Sequence, residues 1–343
     1  MLRHSNDSEP GYRREKKGNA WAYFDGDKRI TDRDEIDRLN ALALPPAYVE
    51  AWFCKDPNGH IQATGKDSRG RRQYRYHADY RAARDASKYD GCGEFGEALP
   101  KLRRRVDADL KRPHHDRERV LAAVVHLLDT EYMRIGNEQY ARANKSFGLS
   151  TLRSRHLVKE RGKLTMRYIG KHGVVHEATI TNSRLKRVIA KCQELPGQML
   201  FQYINGDGNP QPVTSADVNA YIKEASGGDF TAKHFRTWGA SVIAFEQLLS
   251  SDAARISVKT MIEPVAEALG NTVAISRKSY VHPRLIEAVR EAPTDPLAGM
   301  KRPRARRGLS SAETAFLAFL KKKPRKPRAR ASALACTLTA PPP

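Results

Sequence analysis

The sequence is poor in cysteine and contains no long apolar run. Its four cysteines lie far apart and include no C-x-x-C pair, so they support neither a disulfide framework nor a zinc site. No stretch of 18 consecutive apolar residues occurs, and the first 20 residues lack the apolar core of a signal peptide. These absences predict a protein of a reducing compartment, in the cytoplasm, that neither crosses nor anchors in a membrane.

Acidic residues are scarce relative to basic ones. The chain has 39 Asp and Glu against 61 Lys and Arg, a formal net charge of +22 at pH 7. Such a surplus informs about partners rather than fold. Nucleic acid is the leading partner, because each phosphate contacted by Lys or Arg releases a counterion. A membrane surface is the rival, but no basic amphipathic anchor stands at the N-terminus.

Several motifs of catalytic and nucleotide-binding sites are missing as well. Neither H-E-x-x-H nor G-x-S-x-G occurs. Residues 59–66 differ from a phosphate loop, because five residues instead of four separate the glycines and Asp67 stands where Ser or Thr would bind magnesium. The D-x-D pairs at 25–27 and 107–109 are typical of turns or solvated faces. We therefore expect no nucleotide site, no metal site and no cofactor.

What is present divides the chain into three segments. Residues 1–82 favour short strands punctuated by Asp-Gly, Asn-Gly and Arg-Gly turns, with one helix near 33–39. Residues 83–292 favour helices. Residues 293–343 are rich in Pro, Lys, Arg and Ala and should be mostly disordered, although 310–320 begin with a capping-box pattern and suit a short helix. The sequence therefore predicts an α+β protein with a disordered basic tail.

The middle segment also contains a break in the helical pattern. Helices are predicted at 117–133, where apolar residues recur every four positions, and at 183–193, 215–225 and 233–249. Residues 164–169 and 174–180 favour strands instead. Glycines at 170 and 173 lie between them, so Lys171 is expected at the tip of a β-hairpin.

Cations and aromatic residues alternate along 71–77, which suits a strand. A period of two puts Arg72, Tyr74 and Tyr76 on one side and Arg71, Gln73, Arg75 and His77 on the other. One interpretation is a strand with an aromatic core face. The other is a strand that follows a DNA duplex, with guanidiniums, amides and hydroxyls reaching phosphates or base edges.

Three further residues have two interpretations each. Arg134 follows the apolar helix, where it could cap helix carbonyls or point into an anionic pocket. Arg236 could be buried against an acid or could bind phosphate. Tyr280 could be a packed aromatic or a nucleophile, and the phenol needs nearby cations to ionise because its pKa is ordinarily near 10.

Taken together, these segments resemble the bacterial and poxvirus-like type IB DNA topoisomerases. The resemblance spans about residues 12–290 and rests on segments that occur in the family's order. They are residues 44–48, 59–65, 70–77, 134–140 through 144, 148–152, 195–203, 231–238 and 271–283.

The resemblance implies a mechanism and an architecture. Tyr280 would attack a DNA phosphate and form a 3′-phosphotyrosyl bond, Arg134 and Arg236 would bind the phosphate, and Lys171 would protonate the leaving 5′-oxygen. The enzyme would form a C-shaped clamp around double-stranded DNA. It is expected to act as a monomer associated with the nucleoid. The expected DNA contacts are Arg71, Arg72, Gln73, Tyr74, Tyr76, Lys233 and Lys278.

Two residues depart from the family's pattern. Asn271 stands where eukaryotic and poxvirus members have a histidine, so an amide would orient the phosphate and donate a hydrogen bond without carrying charge. His234 stands where acidic residues are frequent, as a phosphate contact or as neutral packing. Two other functions stay open: a tyrosine recombinase, which shares the chemistry, and a non-enzymatic DNA-coating protein.

Overall fold

The structure is a computed structural model, and it describes residues 1–18, 20–68, 70–160, 162–250, 256–291 and 303–322. The chain divides into two compact units, Met1–Asp90 and Gly91–Pro343. Within the described residues, no helix has both the length and the apolar character that crossing a bilayer would require.

The N-terminal unit is built on a six-stranded antiparallel sheet in the spatial order β3-β2-β1-β4-β5-β6. One helix, α1, begins after Asp32, whose side chain accepts a hydrogen bond from the amide of Asp34. Tyr23, Leu39, Leu44, Phe53 and Ala63 form the apolar core of this unit. The elements are β1 (Tyr12–Lys17), β2 (Ala20–Asp25), β3 (Lys28–Arg29), α1 (Arg33–Ala41), β4 (Val49–Phe53), β5 (Ile61–Lys66) and β6 (Arg72–Tyr76).

The C-terminal unit is mainly helical, with a three-stranded antiparallel sheet and a two-stranded one. Its helices are α2 (Ala78–Asp109), which begins in the N-terminal unit, α3 (Arg117–Glu131), α4 (Glu138–Asn144), α5 (Ser183–Glu194), α6 (Ser215–Ser226), α7 (Ala232–Ser250), α8 (Val258–Leu269), α9 (Val273–Ser279), α10 (Pro283–Glu291) and α11 (Ser311–Lys321). Its strands are β7 (Leu157–Glu160), β8 (Lys163–Ile169), β9 (Val175–Ile180), β10 (Gln202–Ile204) and β11 (Pro210–Pro212).

Helix α3 lies in the core of this unit. Asp116 caps its N-terminus, and eight of its residues are buried, because apolar residues occupy more than one of its faces. It packs against α5, α6 and α7. The helix ends where Tyr132 adopts a left-handed conformation, with φ of 49°, and the chain leaves it toward the site described below.

The helices predicted near 33–39 and at 117–133, 183–193, 215–225 and 233–249 are confirmed, with ends shifted by a few residues. The hairpin is confirmed too, because β8 and β9 pair from Leu164↔Ile180 to Ile169↔Val175. Two expectations need correction. The helical pattern begins at residue 78 rather than 83, and strands β7, β10 and β11 had no counterpart among the predicted strands.

The boundary predicted at residue 292 is too early, because helix α11 belongs to the helical core. Ala315, Phe316, Leu317 and Phe319 are buried, and the Phe316 ring lies 5.3 Å from that of Trp238 on α7. The capping box predicted at residues 310–313 is present. The disorder predicted for the rest of the tail concerns residues 293–302 and 323–343, which lie outside the described residues.

A buried ionic network attaches α11 to α2, α3 and α7. The Glu313 carboxylate accepts hydrogen bonds from Arg103, at 2.8 and 2.9 Å, and from the indole Nε1 of Trp238, at 3.0 Å. Arg103 also donates to Asp129, at 2.7 and 2.9 Å. Burial alone would raise the pKa of Glu313, but Arg103 and Trp238 outweigh it, so the pKa lies below 4.5.

Replacing Glu313 with Ala should lower the free energy of unfolding by about 3 kcal/mol, because it leaves a half-buried guanidinium with one of its two carboxylate partners removed. Glu313→Gln should cost less. The charged carboxylate of Glu313 stabilises the fold fully at pH values above its pKa in the unfolded chain. This stabilisation is lost as the pH falls through the lower pKa of the folded protein. The difference in unfolding free energy between wild type and Glu313→Gln should therefore narrow below about pH 4. Urea unfolding at several pH values measures both effects, with the exposed Glu263→Gln as control. Equal stability of wild type and Glu313→Ala at pH 7 would contradict this role.

Candidate active site

Arg134 is held in the loop that follows α3. The carbonyls of Arg134 and Ile135 accept hydrogen bonds from the amides of Leu149, at 2.9 Å, and Ser150, at 2.7 Å. The two segments approach so closely that a Cβ atom on Gly148 would lie 2.5 Å from the Arg134 carbonyl oxygen. The Arg134 side chain donates to Oδ1 of Asn271 at 2.7 Å. Its guanidinium therefore reaches across the unit to the end of α8 rather than capping α3.

Arg236 on α7 is a buried arginine that contacts two backbone carbonyls and the phenol of Tyr280. Only 4% of the residue is exposed. Its guanidinium donates to the carbonyl oxygens of Tyr132 and, at 3.0 Å, Leu269. Among the described residues no ion pair joins Arg236 to a carboxylate, the side chains that act on its charge are Arg134, Tyr168 and Tyr280, and its Nε has no hydrogen-bond partner. The interpretation of a buried arginine–acid pair is therefore wrong for the described part of the chain.

The charges of Arg134 and Arg236 act on one another. Burial lowers the pKa of Arg236, and the positive charge of Arg134 lowers it further. Two guanidiniums in a partly desolvated site repel each other, and a buried charge is ordinarily paired. An arrangement of this kind favours a bound anion, and planar guanidiniums match phosphate oxygens with paired hydrogen bonds.

Tyr280 lies at the C-terminal end of α9, against these guanidiniums. Its amide bonds to the Ser276 carbonyl at 3.0 Å, and the Arg236 guanidinium carbon lies 4.9 Å from the centre of its ring. Burial would raise the pKa of the phenol, but the charges of Arg236 and Arg134 and hydrogen bonds with both outweigh it. The pKa of Tyr280 therefore lies below 10, which increases the fraction of phenolate, the nucleophilic form.

Asn271 follows the turn that ends α8. Gly270 caps that helix in a left-handed conformation, with φ of 59°, and the Asn271 amide bonds to the Ala266 carbonyl at 2.9 Å. The side chain accepts from Arg134 through Oδ1, which directs Nδ2 the other way. This Nδ2 is buried and has no hydrogen-bond partner among the described residues. An unpaired buried donor is costly unless a ligand completes it.

Lys171 stands apart from these four residues. It begins a short 3₁₀ turn, Lys171–Gly173, at the tip of the β8–β9 hairpin, and it is exposed. The strand residues next to the tip, Tyr168 and His176, lie near enough to Arg134 and Arg236 to feel their charges. Burial raises the pKa of Tyr168 on β8 to about 12, although the charges of Arg236 and Arg134 act on it in the opposite direction. The structure thus brings together Arg134, Arg236, Asn271 and Tyr280, with Lys171 exposed at the tip of the β8–β9 hairpin.

The sequence did not reveal every group that builds the site. The carbonyls of Tyr132 and Leu269 fix Arg236, and main-chain acceptors have no sequence signature. Ser241 is also involved, because its hydroxyl lies 3.3 Å from the Tyr280 carbonyl and 3.0 Å from the amide of His282. A serine inside an apolar helix gives at most a weak hint of such a bond.

His234 has a structural role. Its Nδ1 accepts a hydrogen bond from the Thr231 amide at 2.9 Å, and its ring packs against Phe95 and Phe230. Burial lowers its pKa, which favours the neutral ring. Of the two roles considered for His234, the structure therefore favours neutral packing at the start of α7.

The predicted DNA contacts of the N-terminal unit lie on β6, the edge strand of the sheet. Tyr74 and Tyr76 are 41% and 39% exposed and stack on each other, with ring centres 5.9 Å apart. Arg72 lies on the same exposed side and pairs with Asp7. Arg71 and Gln73 both donate to Asp67. The aromatic face of this strand is therefore not a core face. In the other unit, Lys233 and Lys278 are exposed.

Comparison with known proteins gives two matching family models. One, described as "Eukaryotic DNA topoisomerase I, catalytic core", matches residues 77–291. The other, described as "Bacterial DNA topoisomerase IB, N-terminal domain", matches residues 20–67.

The chain is also similar to topoisomerases of two viruses and to one solved recombinase structure. The chain is 37% identical over 298 residues to DNA topoisomerase 1B of Acanthamoeba polyphaga mimivirus, covering 82% of this chain and 88% of that protein. It is 24% identical over 254 residues to DNA topoisomerase I of Monkeypox virus, covering 71% and 76%. A structure of the XerH site-specific recombinase bound to palindromic difH substrate covers 55% of this chain and 49% of its own, at 18% identity and a TM-score of 0.35. That score is too low to support an argument.

Proposed function

The chain belongs to the type IB DNA topoisomerase family, and from that premise we propose that it relaxes supercoiled duplex DNA through transient cleavage of one strand by Tyr280. The assignment of residues rests on one observation, which is that four groups meet at one site. They are the guanidiniums of Arg134 and Arg236, the unpaired amide donor of Asn271 and the phenol of Tyr280, whose pKa is lowered. The expected DNA-bound form is a C-shaped clamp, acting as a monomer on the nucleoid.

In the cleavage step, the Tyr280 oxygen attacks a backbone phosphorus. The new O–P bond forms as the bond from phosphorus to the 5′-oxygen breaks, which leaves a 3′-phosphotyrosyl link and a free 5′-hydroxyl. Rotation of the free end changes the linking number, and attack by the 5′-hydroxyl restores the strand. One phosphoester replaces another in each step, so the reaction needs no nucleotide as an energy source.

Charge stabilisation is the main contribution of Arg134 and Arg236. Negative charge accumulates on the non-bridging oxygens in the pentacoordinate transition state, and fixed donors aimed at that charge are usually the largest catalytic contribution. The free Nε of Arg236 and the free Nδ2 of Asn271 are available for those oxygens. Since the amide is neutral, Asn271 orients and stabilises the phosphate without a titratable charge.

Lys171 is the proposed general acid. The leaving 5′-oxygen is strongly basic and must be protonated as its bond to phosphorus breaks. An exposed lysine at a hairpin tip can reach a DNA strand that lies over the site. The proton passes from its ammonium to the 5′-oxygen during cleavage and returns during resealing.

The proposed DNA contacts are sequence-independent for the most part. Cations such as Arg71, Lys233 and Lys278 suit phosphates, whereas Gln73 and the exposed tyrosines of β6 can also reach sugar or base edges. The edge position of β6 and the exposure of its aromatic side support this assignment.

The experiment that tests the function is relaxation of supercoiled plasmid in EDTA without ATP. A ladder of relaxed topoisomers is expected. Duplexes labelled at the 5′ or the 3′ end of the cleaved strand identify the link, because only the 5′ label stays on the protein when the 3′-phosphate is attached. Binding without relaxation would favour a coating protein, and cleavage confined to one sequence with strand exchange would favour a recombinase.

The C-terminal residues should strengthen DNA binding. Residues 323–330 contain five of the basic side chains, namely Lys323, Arg325, Lys326, Arg328 and Arg330. Truncation after Lys322 keeps α11 and should weaken binding and flatten its dependence on salt, because fewer counterions are released. Filter binding from low to moderate salt measures this slope, and an unchanged slope would contradict it. A shorter chain that also lacks α11 would not serve, because it would lose part of the core as well.

A further inference from the structure

One side chain that the mechanism does not use lies between the segments of two proposed catalytic residues. His176 on β9 pairs directly with Tyr168 on β8, and the two rings stack with centres 5.3 Å apart and an angle of 15°. Two glycines from different parts of the chain, Gly170 and Gly270, also lie against the imidazole.

Gly270 approaches the ring from the end of α8. A Cβ atom there would lie 2.4 Å from Cε1 and 3.2 Å from Nδ1 of His176. This contact leaves no space for a side chain, and the left-handed φ of 59° also favours glycine. The next residue is Asn271, so the ring packs directly against the backbone that carries the amide donor.

Gly170 approaches the ring from the hairpin. A Cβ atom there would lie 2.5 Å from Cδ2 and 2.7 Å from Nε2 of His176. Its amide bonds to the Val174 carbonyl at 2.7 Å, which closes the hairpin end. The next residue is Lys171. One imidazole therefore separates the backbone before the proposed general acid from the backbone before Asn271.

The electrostatic surroundings keep this ring neutral. Burial lowers the pKa of His176, and the charges of Arg134 and Arg236 lower it further. Its stacking partner Tyr168 has a pKa of about 12, so it is also neutral. The ring thus fills the space beside two guanidiniums without adding a third positive charge to the site.

We propose that His176 is a positioning residue that sets the distance between the hairpin bearing Lys171 and the turn bearing Asn271, so that both reach the same phosphodiester. The inference rests on the proposed function. The role depends on the size and flatness of the ring rather than on its protonation. Removing the ring should let the hairpin shift and should slow protonation of the leaving oxygen, because a displacement near 1 Å can cost about 10²-fold in rate.

The test compares two cleavage substrates in single-turnover experiments. One is an ordinary duplex, and the other carries sulfur in place of the 5′-bridging oxygen at a single cleavage position. A thiolate leaves without protonation because thiols are far more acidic than alcohols. Lys171→Ala is the reference, slow on the first substrate and largely restored on the second.

His176→Ala should be slowed about 10- to 100-fold on oxygen and by a clearly smaller factor on sulfur, whereas His176→Phe should cleave both at nearly the wild-type rate. Equal slowing of His176→Ala on both substrates would overturn the proposal, since the defect would then not pass through the general acid.

Gly170→Ala provides a second variant if His176→Ala does not fold. Its φ of −92° suits alanine, but the added methyl would push against the ring. The same defect, smaller on sulfur, is expected, and wild-type rates on both substrates would contradict the packing role. Failure of the proposed function itself would look different, because the wild type would form no covalent complex with either substrate.

Discussion

Replacing Tyr280 with Phe is expected to abolish relaxation and covalent complex formation while leaving DNA affinity within about twofold. The change removes one oxygen atom, and the remaining ring still lies under the Arg236 guanidinium, 4.9 Å away in the wild type. With no phenolate there is no nucleophile, and a water molecule held in its place would give hydrolysis rather than a resealable link. Plasmid relaxation, gel detection of the covalent complex and filter binding measure the three properties.

A matched control separates loss of the nucleophile from loss of packing. Tyr203 is partly buried against the same core, and Tyr203→Phe removes an equivalent hydroxyl from it. This variant should relax DNA at the wild-type rate. If Tyr280→Phe retained relaxation in EDTA, another residue would be the nucleophile and the site would have to be reassigned.

Arg236→Gln should slow strand cleavage by about 10³-fold, at the upper end of the effect of removing one fixed transition-state donor. Arg236→Lys should fall between it and the wild type. A lysine keeps the charge, but it cannot donate in two directions to the Tyr132 and Leu269 carbonyls and still present a flat pair of donors to phosphate.

The same substitution should change the pH dependence of cleavage. The Arg236 charge lowers the pKa of Tyr280 in the wild type, so its removal raises that pKa. The pH at which cleavage reaches half its maximum on the rising limb should therefore move upward in Arg236→Gln. Single-turnover rates across pH measure this shift, with the exposed Arg184→Gln on α5 as control. A slowed reaction with an unmoved rising limb would separate Arg236 from activation of the tyrosine.

The spacing of apolar residues and the position of turn-forming glycines were enough to predict most helices and the hairpin. Helix α3 shows why, since its regularly spaced valines and leucines coincide with its buried positions. Helix α11 shows the limit. Its capping box is a local signal that the sequence displays. Its burial, however, depends on contacts with Arg103, Trp238 and Phe245, whose ring centre lies 5.4 Å from that of Phe316, and all three lie far away along the chain. Its basic, proline-containing flanks indicated a tail instead.

The sequence nominated candidate residues for the site but not their arrangement. The motifs around Arg134, Arg236, Asn271 and Tyr280 identify the positions through the family resemblance. Spacing alone could not show that Arg134 donates to the side-chain oxygen Oδ1 of Asn271, which leaves Nδ2 without a partner among the described residues. Nor could it show the imidazole of His176 between two glycines, because close approach of distant backbones is a property of the folded chain.

Helix α11 has a consequence for the synthesis of the protein on the ribosome. It follows Tyr280 in the chain, so a growing polypeptide contains the whole catalytic set before it contains the helix that covers Trp238, two residues from Arg236. Since domains fold as their residues emerge, we expect nascent chains to lack a fully packed α7, and thus to cut no DNA until translation has passed this helix. Chains stalled at residue 300 should be cleaved within α7 by protease and those stalled well beyond 322 should resist, whereas equal resistance would show that α7 packs without α11.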